Sequence, residues 1–552
     1  MNKKNLLLLL SLVFVIPTLL FSQNKQSSKG DADRQSDAMR SIEIYNAVLR
    51  ELEINYVDTF NYDRLLELSL GRMLYSLDPY VTYVPESDPE FVKLINSGQY
   101  GGIGSVITLV DDEPYLSEPY FGSPAQANGL RAGDKILEID GKKCKDMALS
   151  KVSETLRGTP NTNIKLKVQR VGVDKPIVKT FMRKLINTET VPYYGTVAPK
   201  VGYVVINDFI DRTSTDFEDA VAALVKSNSI ESLIVDLRGN GGGLVTQAVD
   251  IASLFVPART KIVEMRGRHK EDTRVYETYN EPLYPDMKLI FLVDENSASS
   301  SEILAGGLQD LDRAVIVGNR TFGKGLVQTL RQLPYNAFLK VTTAKYYLPS
   351  GRCIQAIDYA DNNSGQNSEL PDSLINEYYT KNNRVVYDGS GIMPDSIVEE
   401  SNNYNISAYL YMKSIYFKYA NEFVAKNPTI DAPDVFVFTD EQYNDFCSYV
   451  LSSGFTYRLN SEQYLQQLKE MVGIEGYDDI TQQLFEQLTD KLQPNIEGDL
   501  IKFRADITPL LESEIIKRYY YHKGVFEYNS REDEYIKTAL DIINSGEYNE
   551  II

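Results

Sequence analysis

Between about residues 190 and 350, short β-branched runs alternate with helical patterns, and this alternation constrains the fold more than any other feature of the chain. "VGYVVIND", "SLIVDLRG", "LIFLVDE" and "AVIVGN" are almost continuously apolar. Between them "TDFEDAVAALVKS", "LVTQAVDIASLFV" and "SSEILAGGLQDL" carry apolar residues at helical spacing. Strands apolar on both sides are buried on both faces, and helical crossovers are what parallel strands require, so an α/β domain with a mainly parallel sheet is expected. Function in such sheets gathers where strands end and loops begin. Two unusual loops fall there, "DLRGNGGGL" and "DENSASSSE".

A length of 552 residues exceeds what one hydrophobic core usually supports, so further domains are expected. Residues 1–22, with two lysines ahead of an apolar run, have the form of a secretory signal. Residues 38–95 read as a helical region, "AMRSIEIYNAVLRELEINYV" and "NYDRLLELSLGRMLYSL" following a polar segment near 23–37. It closes with "DPYVTYVPESDPE", whose prolines mark loop. Residues 98–185 mix glycine turns with alternating strands, and "GSPAQANGLRAGDKILEIDGKKC" places a helix cap at Ser123, a first-turn Pro124 and a terminating Gly129 ahead of a strand and an Asp-Gly turn. The tail, 401–552, is Tyr-rich, acidic and helical in pattern, with no motif that carries chemistry. The class expected is multidomain α/β and α+β.

Composition excludes several chemistries. A formal charge of −20 argues against nucleic acid as a partner. His269 and His522 are the chain's only histidines and share no metal-ligand spacing, and Cys144, Cys353 and Cys447 are far apart, so neither a metal site nor a disulfide framework nor any cofactor is expected.

Serine catalysis needs a hydroxyl, a base and N–H donors where the carbonyl oxygen gains charge. Four serines, Ser297, Ser299, Ser300 and Ser301, surround a strand-to-helix junction, although one serine with Glu302 would suffice for a capping box. Lys324 lies between Gly323 and Gly325, beside Phe322 and Leu326, where desolvation could lower its pKa. The glycine run after Asn240 can turn backbone N–H groups towards an anion. It is not a P-loop, having no Gly-Lys-Ser/Thr, and with Gly239 first the sixth position is Leu244, so the dinucleotide fingerprint fails too. Taken singly, each stretch also reads as a capped helix or a turn.

Residues 98–185 resemble a PDZ domain through "SPAxxxGLxxGDxIxxIxG". Such domains bind peptide C-termini by strand addition, which assigns peptide binding to the loop holding Gly102, Ile103 and Gly104. That pattern, followed in order by "LIVDLRGNGGGL", "SASSSEILAGGLQD" and "RTFGKGLVQ", resembles the carboxyl-terminal processing peptidases, tail-specific serine proteases of the S41 type, over roughly residues 40–400. The resemblance implies a protease core at 190–400, Ser299 as nucleophile, Lys324 as base, Gln328 orienting the lysine, and the N–H groups of Gly243 and Ser300 as oxyanion donors. "RGNGGG" departs from the family's usual Arg-Asn-Asn-Pro-Gly-Gly, leaving Gly242 and Gly243 as alternatives. Asp310 reads as structural, and Arg157 as either a surface residue or one facing the protease core.

The function expected is therefore an exported, periplasmic serine endopeptidase acting on unfolded or tailed proteins held by their C-termini. An uncleaved N-terminal segment would associate it with a membrane. Rival readings are a silent PDZ scaffold and a peptidase that trims short peptides.

Overall fold

The computed structural model describes residues 29–85, 98–359, 368–369, 372–399 and 405–552. The signal expected at 1–22 lies outside them, as does much of the polar insertion after Tyr359. The chain divides into two units, Met1–Leu70 and Gly71–Ile552. In the first, helix α1 (Lys29–Asn55) is followed by α2 (Tyr62–Tyr75), which runs on into the second, and Tyr45 and Ser69 share a hydrogen bond of 2.9 Å. Helix α1 starts inside the segment read as polar.

"DPYVTYVPESDPE" is not loop throughout: β1 (Thr82–Val84) is a paired strand.

The PDZ-like region follows as β2 (Gln99–Gly102), β3 (Ser105–Val110), β4 (Glu113–Pro119), α3 (Pro124–Ala127), β5 (Lys135–Ile139), β6 (Lys142–Lys143), α4 (Leu149–Leu156), β7 (Asn163–Gln169), β8 (Ile177–Met182) and β9 (Lys184–Asn187). Ser123 Oγ accepts the Gln126 N–H at 3.2 Å and Pro124 opens α3, the capping read from the sequence. The sheet runs β3-β4-β5-β7-β8, closed over Leu116, Ile136, Ile164, Leu166 and Val168. Alternate burial along β7 produces this core, as a half-buried strand requires. Strand β3 is an edge, and α4 packs against it.

The α/β core contains β10 (Tyr193–Ala198), β11 (Val201–Val205), α5 (Thr213–Asn228), β12 (Ser232–Asp236), α6 (Val245–Ala252), β13 (Lys261–Gly267), β14 (Arg274–Glu277), β15 (Lys288–Val293), α7 (Ser300–Asp310), β16 (Val315–Gly318), β17 (Leu326–Gln332) and β18 (Phe338–Tyr347). Strands β11, β12, β15 and β16 are parallel neighbours, with β10 antiparallel at one edge and Ser396–Ile397 parallel at the other. Alternate residues serve opposite faces. Leu233, Val235, Leu289 and Phe291 pack under α5, α6 and α7, while Ile234, Ile290 and Leu292 face away. A second sheet joins β1, β13, β14, β17 and β18.

What covers the far face is the end of the tail. After α8 (Ile406–Met412), α9 (Ile415–Lys426), α10 (Asp440–Ser452), α11 (Asn460–Ile474), α12 (Asp478–Leu492), α13 (Ile496–Lys502) and α14 (Arg504–Asn529) come α15 (Glu534–Ser545) and α16 (Tyr548–Ile551). Tyr535, Ile536, Ala539, Ile542 and Tyr548 seal Ile234, Ile290 and Leu292. Earlier tail helices brace the PDZ-like sheet: Lys418 pairs with Asp111 at 2.8 Å, Gln126 donates to Tyr521, and the buried Glu118 accepts the His522 N–H. The tail therefore completes the core from outside the region where the core was expected. No helix among the described residues is long and apolar enough to cross a membrane.

Candidate active site

Three loops meet beyond the carboxyl ends of β12, β15 and β16. The glycine loop is laced to the serine loop by the serines themselves. Ser297 Oγ donates to Leu237 O at 2.8 Å, Ser300 Oγ to Gly243 O at 2.8 Å and Ser301 Oγ to Asn240 O at 2.9 Å. All three are buried. Ser299 is the exception. It stands at φ 55°, ψ −113° ahead of α7, in backbone unusual for a residue with a Cβ, and its side chain lines an open cleft. Residue type alone does not separate the four serines; Ser299 is the one that the resemblance implied as nucleophile.

Gly242 allows the close approach of the two loops. A Cβ there would sit 2.6 Å from Ala298 O and 2.8 Å from Ser300 N. Its own N–H is used internally, donating to Asn240 Oδ1 at 2.8 Å. The N–H groups of Gly243 and Ser300 meet no acceptor among the described residues. Two donors beside Ser299 are thus left for a ligand, and Gly243 rather than Gly242 is the free one.

Glu302, fully buried, ties the serine turn to the lysine turn. Its carboxylate accepts the N–H of Ser299 at 2.8 Å, of Gly323 at 2.8 Å and of Lys324 at 2.9 Å, and the Thr321 hydroxyl at 2.6 Å. Burial pushes its carboxyl up, and these four donors oppose the shift. Ser299 and Glu302 stand in the capping-box relation expected from the sequence, the Glu302 carboxylate reaching back to the Ser299 N–H. Glu302 therefore serves both as the partner of Ser299 in the capping box of α7 and as a brace between two loops.

Lys324 is half-buried on the same cleft. Burial and the charge of Lys340 hold its ammonium below the usual lysine range, against an opposite pull from Glu302 and Asp78. Of its two apolar neighbours in sequence, Leu326 is buried on the same cleft, whereas Phe322 is 43% exposed. Tyr80 also covers it, its ring centroid 4.4 Å from Nζ. Tyr346, fully buried on β18, donates to the carbonyl oxygen of Lys324. No hydrogen bond joins Lys324 Nζ to Ser299 Oγ or to Gln328 among the described residues. Gln328 follows a register shift in β17 and donates to Thr342 Oγ1 at 3.1 Å, so the lysine-orienting contact implied by the resemblance is not formed here.

The cleft has a volume of about 1740 Å³ and reaches into the PDZ-like region. There it is lined by Ile103 and Gly104, by β3 from Ser105 to Ile107, and by Leu149, Ser153 and Leu156 of α4. Gly104 has φ 71°, and a Cβ on it would meet Ser123 Cβ at 2.6 Å. The N–H groups of Ile103 and Gly104 meet no acceptor among the described residues. Gly102 lies in β2, paired with Lys184, and does not line the cleft. Arg157 is exposed on the cleft wall, 5.0 Å from the centre of the Tyr100 ring. His269 reaches the cleft but makes no hydrogen bond to Ser299, and among the described residues no group of three or more His, Cys, Asp or Glu is placed to hold a metal.

Asp310 ends α7, roughly 16 Å from Ser299 by helical rise. It forms an ion pair with Arg352 at 2.8 Å, both side chains fully buried, and accepts the Ser350 N–H at 2.9 Å. Asp310→Ala leaves Arg352 buried without its ion-pair partner, and is expected to cost about 3–5 kcal/mol in denaturant unfolding. An unchanged midpoint would show the pair to be dispensable.

Residues 200–362 match peptidase family S41, residues 116–170 a PDZ domain, and residues 406–543 a "Probable PDZ-protease, C-terminal helical domain". The chain is a serine-type peptidase of family S41 carrying a PDZ domain. Within that class it belongs to the carboxy-terminal-processing proteases: it is 32% identical to the carboxy-terminal-processing protease of Bartonella bacilliformis over 328 residues, 59% of this chain and 75% of that one. A CtpA-like serine protease of Staphylococcus aureus is 32% identical over 351 residues, 63% of this chain and 68% of the relative. Among solved structures, the photosystem II D1 C-terminal processing protease aligns with TM-score 0.36 at 25% identity, covering 64% of this chain and 86% of its own.

Proposed function

We propose that the chain is an exported endopeptidase that takes protein substrates by their C-termini in the PDZ groove and cuts them with a Ser299–Lys324 dyad. The observation that carries the reading is the convergence on one cleft of Ser299, a desolvated Lys324 and two unpaired N–H groups, Gly243 and Ser300. Neutral Lys324 takes the Ser299 hydroxyl proton as Oγ attacks the scissile carbonyl carbon. The negative oxygen forms between the Gly243 and Ser300 N–H donors. Collapse breaks the C–N bond, and the leaving amine takes the proton from Lys324. Water then attacks the Ser299 ester, giving its proton to Lys324. The carboxylate product departs as Ser299 is reprotonated. Gln328 would turn from Thr342 towards Lys324 when a substrate is seated.

The PDZ groove supplies the substrate. An extended C-terminal segment adds to the free edge of β3, and the Ile103 and Gly104 N–H groups take its carboxylate. Docking raises the local concentration of the upstream chain at Ser299. Export rests on the form of residues 1–22.

The test is the intact mass of products from unfolded substrates with varied C-termini, each also prepared as the C-terminal amide. Internal cuts, slowed about tenfold by amidation through loss of charge-assisted hydrogen bonds, are expected. Uncut substrate that binds would favour a scaffold, and stepwise loss of short pieces from short peptides alone would favour a trimming enzyme.

A further inference from the structure

We propose that Tyr80 is a positioning residue for Lys324, its ring a shelf that holds the ε-ammonium in the cleft wall until a substrate is seated. The proposal rests on the reading of Lys324 as the base and assigns a partner to it that lies outside the three loops.

Among the described residues the Tyr80 ring is the one partner of Lys324 Nζ, 4.4 Å from its centroid, within the range at which a ring face attracts a cation. Tyr80 is itself held firmly. Asp78 Oδ1 accepts the N–H of Tyr80 at 2.8 Å and of Val81 at 3.0 Å. The next residues, Thr82 to Val84, pair with Lys340 to Phe338 of β18, so the ring is anchored to the strand that also carries Tyr346. Tyr359 packs against it edge to face, its ring at 89° and 6.0 Å and its hydroxyl donating to the Tyr80 oxygen at 3.4 Å.

The groups around the lysine are Lys340 on β18, Glu302 on α7, Asp78 ahead of β1, and the hydroxyls of Tyr80 and Tyr346. None pairs with Nζ. Burial and Lys340 disfavour the ammonium, Glu302 and Asp78 favour it, and a ring face favours it further. The ring therefore has two opposite effects: its bulk excludes water, and its face stabilises the cation.

Substitutions separate the two. Tyr80→Phe keeps bulk and face. Tyr80→Leu keeps much of the bulk and loses the face. Tyr80→Ala admits water. In the full chain, the titration of Lys324 is read from the pH dependence of its acetylation by acetic anhydride, with peptide mass spectrometry, and compared with the acidic limb of kcat/KM. The Phe variant is expected to titrate as the wild type, Leu at a pH lower by roughly half a unit or more, and Ala at a higher pH. If Leu titrates as the wild type, Tyr80 is packing alone and the proposal fails, whatever the Ala variant does. If acetylation shifts as expected while the kcat/KM limb stays in place, Tyr80 keeps its role and Lys324 loses its own as the base.

Discussion

Ser299→Ala is expected to lower cleavage of an unfolded, tailed substrate by about 10⁴-fold or more, with no loss of thermal stability. The four serines divide their labour. Ser297, Ser300 and Ser301 give their hydroxyls to backbone carbonyls of the glycine loop, so each is held by its partner. Ser299 alone faces the cleft, in backbone strained for a residue with a Cβ. Ser301→Ala is the contrast. It removes a buried hydrogen bond, costs about 1 kcal/mol, and keeps cleavage within about tenfold. Equal losses of activity in the two variants would mean that the serine turn acts as scaffolding and the nucleophile lies elsewhere.

The second large effect is at Lys324. Lys324→Met is expected to abolish cleavage and to raise the melting temperature, because a half-buried ammonium without an ion pair opposes folding and methionine fills its volume. The sign follows from linkage. The folded-state pKa lies below the unfolded one, so between them the unfolded chain binds more protons and the stability of the native protein falls as pH falls. The advantage of the Met variant should thus be smallest near pH ~10.4, the ordinary lysine value, grow as pH falls, and level off below the folded pKa. Activity runs the other way, rising with pH as Lys324 loses its proton. A Met variant that still cleaves, or one less stable than the wild type at neutral pH, would remove Lys324 as a desolvated base.

The α/β core was legible because periodicity reports burial. Strands such as "SLIVDLRG" are apolar on both faces, and the structure buries them on both. The PDZ-like region was legible for a different reason: Ser123, Pro124 and the Asp140-Gly141 turn are chemical requirements of local backbone, and local backbone is written locally. The role of the tail was left open. Its helices were visible, but Tyr535, Ile536 and Tyr548 carry no sign that they close a sheet more than 200 residues earlier in the chain.

The site divides in the same way. Sequence determined which residue types could supply a nucleophile, a base and N–H donors, and at which strand ends they stand, because those demands are met within a few consecutive residues. Tertiary structure decided which serine is free, that Gly243 and not Gly242 keeps an unused N–H, that Glu302 braces two loops, and that Tyr80 covers the lysine. Each of these depends on which hydrogen-bond acceptors and ring faces the fold brings alongside a residue. Contacts between segments tens to hundreds of residues apart leave no period or spacing in the chain.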